Sequence, residues 1–175
     1  YLRSSIYDVR DLLETAVIKA PEIPESLYNY GRYFVETGAN TNARNVLEEA
    51  LGVFKATEKK SQKRLLAEID TYRILGELYA GDLDYLRAES YYVDGLSLFE
   101  TERDNSGLKT DKKVGVLYSD LANIDYFISG DYEAALSNYM NAIENHNDTP
   151  SIRYRVGYIQ YANENYAEAL GSFIK

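Results

Sequence analysis

Hydrophobic and polar positions follow a helical spacing in the stretch GDYEAALSNYMNA, residues 130–142. Read as a helix, it places Ala135, Tyr139 and Ala142 on one face, because residues three and four positions apart lie above one another. Two small residues around one aromatic ring suit a helix lodged closely between two neighbours. Gly130, at the start of the stretch, predicts a turn from a preceding helix. The pattern therefore predicts closely packed helices rather than helices that cover a sheet.

The same combination of residues recurs along the chain. The four copies are Gly31, Phe34, Ala43, Leu47 and Ala50; Gly76, Tyr79, Ala88 and Tyr92; Asn123, Ala135 and Tyr139; and Gly157, Ala169 and Phe173. Their first members are 45, 47 and 34 residues apart. Asn123 replaces the glycine in the third copy, and Gln160 replaces an aromatic residue in the fourth. The recurrence indicates a repeat array, in which each helix pair buries its apolar face against neighbouring pairs.

This combination resembles the tetratricopeptide repeat (TPR) family, although the chain lacks the tryptophan of the family pattern. The longer intervals resemble TPR variants with long helices, whereas HEAT-type repeats of similar length lack this combination. The resemblance implies an all-α, right-handed α-α superhelix of about nine helices. It also implies a single repeat domain over residues 1–175, divided into the second helix of a clipped repeat at 1–21, repeats at 24–60, 61–103 and 109–147, and a clipped repeat at 149–175.

Local signals predict where the helices begin and end. Pro24 and Thr149-Pro150 predict helix starts, since proline is best tolerated in the first helical turn. Ser61 is a candidate N-cap, and Asp104–Gly107 predicts a loop. The chain does not begin with Met and its last residues continue a helical pattern. We therefore expect a fragment of a larger TPR protein with apolar surface at both ends.

Composition narrows the classes of function. The 175-residue chain is 45% hydrophobic, contains no cysteine and has a formal net charge of −9. The lack of cysteine removes disulfides, zinc–thiolate sites and thiol catalysis. The negative charge argues against nucleic-acid binding, which needs Lys and Arg to neutralise phosphates. No apolar run reaches the roughly 18 residues of a membrane span, and the composition leaves cytoplasmic and extracytoplasmic locations open.

Catalytic chemistry has few candidates in this sequence. The single histidine, His146, lies at a predicted helix end, where we expect a solvated or capping side chain. We interpret the pairs Asp82/Asp84 and Asp125/Asp131 as surface charges. The chain has no glycine-rich phosphate loop and no EF-hand ligand spacing. We therefore expect no catalytic, cofactor or metal site, with a carboxylate-based hydrolase as a remote alternative.

Tyrosine is unusually frequent, with 18 residues. Six tyrosines occupy aromatic positions of the repeat and are expected in the core: Tyr79, Tyr92, Tyr126, Tyr132, Tyr139 and Tyr166. In TPR proteins the first helix of each pair lines a concave groove. The resemblance implies a partner-binding groove here, to which helical spacing adds the last tyrosine: Tyr28, Arg32, Arg73, Glu77, Asp120, Ile124, Tyr154, Tyr158 and Tyr161. This set lacks the Lys and Asn pairing with which co-chaperone TPR domains hold a C-terminal carboxylate.

Basic residues concentrate in two segments, 55–68 and 105–115, each joining the second helix of one pair to the next pair. We expect both segments on one edge of the superhelix, as a solubilising surface or as a docking edge for an acidic partner. The residues of this edge are Lys59, Lys60, Lys63, Arg64, Lys112 and Lys113. The expected function is a non-catalytic scaffold that binds a peptide or helix of a partner protein in the groove. The alternative is a structural module that self-associates through its ends and this edge.

Overall fold

The computed structural model describes residues 2–56 and 61–174, with the side chains of residues 2–8 left out of the description. These residues form nine α-helices and one π-helical turn, without strands in the described ranges. The helices are α1 (Leu2–Lys19), α2 (Pro24–Glu36), α3 (Asn40–Lys55), α4 (Gln62–Gly81), α5 (Tyr85–Ser106), α6 (Lys112–Ile124), α7 (Tyr132–Glu144), α8 (Pro150–Ala162) and α9 (Tyr166–Ile174). The π turn, Asp125–Ser129, continues α6. The expected all-α fold of about nine helices is confirmed.

Consecutive helices pair and the pairs stack in chain order. The closest partners are α2 with α3, α4 with α5, α6 with α7, and α8 with α9. The core consists of two clusters of buried residues, the first running from α2 to α4 and the second from α4 to α8. Because each pair is covered by the next, the apolar faces are buried by stacking rather than around a single centre.

Glycine lets the two helices of a pair approach closely. A Cβ built on Gly31 would lie 2.4 Å from a carbon of Leu47, and one on Gly76 would lie 2.2 Å from the Tyr92 ring. Gly157 has the same relation to Phe173, at 2.7 Å. In all three pairs the large side chain follows the glycine by sixteen residues and fills the space that a side chain would need.

The two departures from the repeat pattern become polar contacts. In the third pair, the Tyr139 hydroxyl donates a hydrogen bond to Oδ1 of Asn123 at 2.8 Å. Asn123 occupies the glycine position, so a hydrogen bond replaces close packing there. In the fourth pair, the Ser172 hydroxyl donates to Oε1 of Gln160 at 2.7 Å. Each departure therefore still joins the first helix to the second.

The turn inside each pair has a left-handed residue at the same register position. Gly38 and Gly130 have φ of 73° and 69°, and the turn at Gly130 agrees with the sequence analysis. Leu83 and Glu164 occupy the equivalent positions with φ of 64° and 63°. Residues with a Cβ rarely adopt this conformation, so these two turns carry backbone strain that the glycine turns avoid.

The ends of the helices agree with the sequence signals except at one point. Ser61 and Thr149 are N-caps, as predicted, and their hydroxyls accept hydrogen bonds from the backbone N–H of Arg64 and Ile152. The predicted loop at Asp104–Gly107 is wrong, because α5 continues to Ser106 and ends at Gly107 in the left-handed conformation. The next residue, Leu108, is buried in the core and fixes the chain at that point.

The glycine contacts give a matched pair of substitutions. Gly76→Ala should lower the free energy of unfolding by about 1–3 kcal/mol, the usual effect of overpacking, because the new methyl group overlaps the Tyr92 ring. Gly52→Ala, in α3, should raise it by about 0.5–1 kcal/mol, because nothing lies near its Cβ position and alanine restricts the unfolded chain. Urea unfolding measures both. Equal effects of the two substitutions would contradict the proposed glycine contact.

Candidate protein-interaction surface

A buried carboxylate joins the first helices of three successive pairs. Asp70 of α4 is 5% exposed and has partners on α2, α4 and α6. Its Oδ2 accepts hydrogen bonds from the Tyr28 hydroxyl at 2.6 Å and from Nζ of Lys113 at 2.9 Å. Its Oδ1 accepts one from Nε of Arg73 at 2.9 Å. Burial alone would raise the pKa of Asp70, but Arg73, Tyr28 and Lys113 outweigh it and the pKa is lowered.

Lys113 closes this cluster from the side of α6. Its Nζ lies 3.2 Å from the Tyr28 hydroxyl oxygen and 5.6 Å from the centre of the Tyr28 ring. The Arg32 guanidinium lies 5.6 Å from the centre of the same ring. Tyr28 is therefore enclosed by Asp70 and two cations, and burial together with Asp70 raises the pKa of its hydroxyl. Contacts within the chain therefore hold this cluster together.

A second carboxylate, Asp120 of α6, lacks such partners. Its Oδ2 is buried, and no described residue gives it a hydrogen bond. Burial and the nearby charge of Glu77 raise the pKa of Asp120 to about 7, against the lowering effect of Arg73. Arg73 is committed elsewhere, because it pairs with Asp70 and with Glu77. Asp120 therefore takes up a proton near neutral pH.

Asp120 lies in a cleft of about 260 Å³ between the α4–α5 turn and the end of α6. The lining residues are Ala80, Tyr85, Tyr92, Asp120, Asn123, Ile124, Phe127 and Ile128. Phe127 is 60% exposed and Ile128 is 49% exposed, and both belong to the π turn. The cleft is thus an apolar recess with one carboxyl group that has no described hydrogen-bond partner.

The groove residues expected from the sequence separate into two groups. Tyr28 and Ile124 are 6% and 5% exposed, so neither presents a free side chain. Arg73 is largely covered, with 18% of its side chain exposed. Arg32 and Glu77 are exposed but pair within their own helices, with Glu36 and Arg73. In this half of the chain the expected groove contacts are occupied by the protein itself.

The tyrosines of α8 are free of such contacts on much of their surface. Tyr154, Tyr158 and Tyr161 are 63%, 48% and 59% exposed. The opposite face of α8 carries Ile152 and Ile159 in the core, as the helical spacing predicts. Tyr158 also lines a small cavity of about 150 Å³ with Tyr132, Ile159, Ala162 and Asn163. The three tyrosines form an exposed stripe, hereafter the α8 stripe.

Aromatic contacts connect the α8 stripe to the cleft at Asp120. The ring of Tyr126 makes edge contacts with Phe127 and Tyr132, at centroid distances of 4.8 and 5.3 Å. Tyr132 continues the surface to Tyr158 through the small cavity that both line. The expectation that Tyr132 and Tyr166 belong to the core is wrong, because they are 52% and 59% exposed. Both lie at the first turn of a second helix, where the neighbouring pair does not cover them.

Two of the residues expected on a basic edge, Arg64 and Lys113, form ion pairs within the chain. Arg64 forms a bidentate ion pair with Glu25, in which Nε and a terminal guanidinium nitrogen donate to the two carboxylate oxygens at 2.9 and 3.1 Å. Lys113 pairs with Asp70 at 2.9 Å, while Lys63 and Lys112 are exposed. Lys59 and Lys60 lie outside the described residues. A cavity of about 420 Å³ is lined by Arg32, Asp70, Arg73, Lys112, Lys113 and Val116.

His146 and Asp125, which were considered for catalysis, each have a hydrogen-bond contact with a neighbouring side chain. His146 is exposed, has a φ of 66°, and its Nε2 lies 3.0 Å from the Thr110 hydroxyl. Asp125 is 7% exposed and accepts a hydrogen bond from Asn138, so its interpretation as a surface charge is wrong. Among residues 2–56 and 61–174, no group of three or more His, Cys, Asp or Glu side chains could hold a metal ion.

No helix in those ranges is long and apolar enough to cross a membrane.

The C-terminal part of the chain, residues 124–175, matches the sequence model of the tetratricopeptide repeat family. No curated protein has a matching sequence. Over these residues the chain is similar to the TPR family, and the structural likenesses below show a TPR-like fold over nearly the whole chain. TPR-repeat proteins are generally non-catalytic protein-interaction scaffolds.

Three solved structures illustrate the shared fold. BtubC (BKLC) from P. vanneervenii has a TM-score of 0.69 at 16% identity, over 97% of this chain and 71% of that protein. MamA has a TM-score of 0.66 at 14% identity, over 98% and 86% of the two chains. YrrB, described as a TPR protein with an unusual peptide-binding site, has a TM-score of 0.57 at 18% identity, over 97% and 75%. At these identities the likeness establishes the TPR superhelix.

The Asp70 cluster predicts a pH-dependent effect on stability. Asp70→Asn should lower the free energy of unfolding at pH 7 by about 1.5–3 kcal/mol, since hydrogen bonds to a charged group are lost. The lowered pKa of Asp70 means that its contribution is present above the ordinary value of 3.8 and is lost as the pH falls below it. Urea unfolding at pH 7 and pH 3 tests this. Asp104→Asn is the control, because its side chain is 97% exposed, and an equal loss in both variants would contradict the assignment.

The raised pKa of Asp120 predicts the opposite dependence of folding stability on pH. With a pKa of about 7 in the folded chain and 3.8 ordinarily, it favours folding fully below pH 3.8, and this contribution is lost as the pH rises through 7. Asp120→Asn should therefore gain stability over the unsubstituted chain between pH 4 and pH 8, by about 2 kcal/mol or more at about 1.4 kcal/mol per pKa unit. The titratable groups around Asp120 are Arg73 and Glu77 on α4, and Tyr92 and Tyr85 on α5. A constant difference across this range, measured by urea unfolding, would show that Asp120 is ordinarily ionised.

Proposed function

We propose that the chain is a non-catalytic scaffold that binds a peptide or helix of a partner protein on the inner surface of α6 and α8. The observation that carries the proposal is the α8 stripe and its aromatic continuation to Phe127. Tyrosine provides large contact area with few rotatable bonds and a hydroxyl group that can find a partner at the rim. The peptide-binding site named for YrrB supports this class of ligand for the same fold.

The location of the proposed site follows from what is free to bind. At the end formed by α2 and α4, Tyr28 and Arg73 are engaged by Asp70. Toward α8, Tyr154, Tyr158 and Tyr161 keep about half or more of their surface in solvent. A ligand that binds there covers aromatic surface without breaking an internal ion pair. The proposed groove therefore uses the α8 stripe, with Glu77 and Asp120 toward its other end.

Self-assembly is the second candidate, and exposed apolar side chains at both ends favour it. In α1, Leu12 and Ile18 are 70% and 73% exposed. In α9, Leu170 and Ile174 are 60% and 73% exposed. Contact between such surfaces would bury apolar area, worth about 25 cal/mol per Å². This candidate predicts association that depends on protein concentration, which the peptide-binding candidate does not require.

Selection from a random peptide display library, followed by fluorescence-anisotropy titration, tests the proposed function. Tyr158→Ala should weaken binding of the selected peptides by at least about 2 kcal/mol, the range of interface hot spots. The melting temperature should remain near that of the unsubstituted chain, because Tyr158 is half exposed. The matched control is Leu12→Ala, which removes an exposed apolar side chain at the far end and should leave peptide affinity unchanged.

Two outcomes would contradict the proposed function. If Tyr158→Ala leaves peptide affinity unchanged while reversal of Lys63 and Lys112 to Glu abolishes it, the basic residues form the site. If no peptide is selected and analytical ultracentrifugation shows association that Leu170→Glu abolishes, the chain is a self-assembly module.

A further inference from the structure

The cleft at Asp120 differs from the Asp70 cluster in the pairing of its carboxyl group. Every carboxylate of the Asp70 cluster is matched: Asp70 has three donors, and Glu77 pairs with Arg73. Asp120, outside that cluster, differs because its Oδ2 is buried and receives no hydrogen bond from the described residues. A buried, unpaired carboxyl group costs free energy, which a ligand able to donate hydrogen bonds would recover.

The walls of the cleft define what kind of donor fits. Phe127 and Ile128 give it an exposed apolar rim, and Ala80, Tyr92 and Ile124 line its interior. An apolar stem that ends in a cation matches this arrangement, because the stem covers the apolar wall and the charged end reaches the carboxylate. Arginine fits better than lysine, since its planar guanidinium pairs with a carboxylate through two hydrogen bonds and stacks on aromatic rings.

We propose that this cleft binds an arginine side chain of the peptide held by the α8 stripe, with the Asp120 carboxylate accepting its hydrogen bonds. The inference rests on the proposed function and specifies its ligand. Continuity supports it, because Phe127 lines the cleft and joins the α8 stripe through Tyr126 and Tyr132. The Arg155 guanidinium, 5.1 Å from the centre of the Phe127 ring, is outside the cleft lining.

The site is expected to depend on pH. Asp120 must be ionised to bind a guanidinium, and its pKa of about 7 leaves it largely protonated at pH 5. Of the groups facing it, Arg73 opposes a second cation, Glu77 favours one, and Tyr92 stays neutral, because burial and nearby carboxylates raise the pKa of its hydroxyl. Binding of the cation should therefore strengthen between pH 5 and pH 8 and should lower the pKa of Asp120.

The first experiment uses two small probes, n-butylguanidinium and its uncharged isostere n-butylurea. NMR titration of the labelled full chain at pH 8 should shift the resonances of Ala80, Ile124 and Ile128. The guanidinium should bind about tenfold more tightly than the urea, as expected for charge-assisted hydrogen bonds. In Asp120→Asn this preference should disappear, whereas Asp104→Asn makes the same charge change on an exposed side chain and should keep it. Equal affinity of the two probes for the unsubstituted chain would overturn the proposal.

The second experiment returns to the peptides selected for the proposed function. Replacing their arginine by citrulline should weaken binding about tenfold to the unsubstituted chain and have little effect in Asp120→Asn. Peptides that require Tyr158 but lack this dependence would overturn the arginine site and leave the proposed function standing. If no peptide is selected while n-butylguanidinium still binds through Asp120, the proposed function fails and the cation specificity of the cleft is retained. If Asp120→Asn does not fold, the pKa of Asp120 in the unsubstituted chain is measured by NMR with and without n-butylguanidinium. The proposal expects the probe to lower this pKa, and an unchanged pKa would overturn it.

Discussion

The close approach of two helices at a glycine is the constraint on which this structure depends. Gly31, Gly76 and Gly157 each face a large side chain from the second helix of their pair, at distances that leave no room for a methyl group. That contact fixes how far apart the two helices lie and how one is rotated relative to the other. Once the pair is fixed, its outer faces are fixed as well, including the positions from which α8 presents its tyrosines.

Much of the fold could be predicted from the sequence because the residues that make this contact recur along the chain. A glycine, a small residue and a large side chain recur at constant offsets, and Asn123 could be aligned despite its different chemistry. The helix caps at Ser61 and Thr149 are local signals of the same kind. The end of α5 was mispredicted because the polar residues after Glu102 suit a loop, while burial of Leu108 holds the helix to Ser106.

The candidate site could be predicted only in part. The exposed α8 tyrosines follow from helical spacing, but the partners of Tyr28 do not, because Asp70 and Lys113 are 42 and 85 residues away in the chain. One signal was present: Glu68 and Asp70 interrupt an apolar stretch of α4, and a charged residue in such a stretch needs a buried partner. Asp120 and Ile124 were expected in the groove, but the cleft around them could not be predicted, since it depends on how the π turn places Phe127 beside the neighbouring pair.

The contact between Lys113 and Tyr28 bears on how the array unfolds. Repeat arrays are commonly treated as a row of units coupled only to adjacent units, so that either end can detach first. Here the first turn of α6 reaches α2, bypassing the unit between them, while Asp70 of that middle unit binds both. The three units held by this contact cannot separate one at a time without breaking it. Among the four helix pairs, the described contacts show no equivalent tie on α8 and α9, so the last pair should separate before the first three, and the proposed ligand would also be bound there.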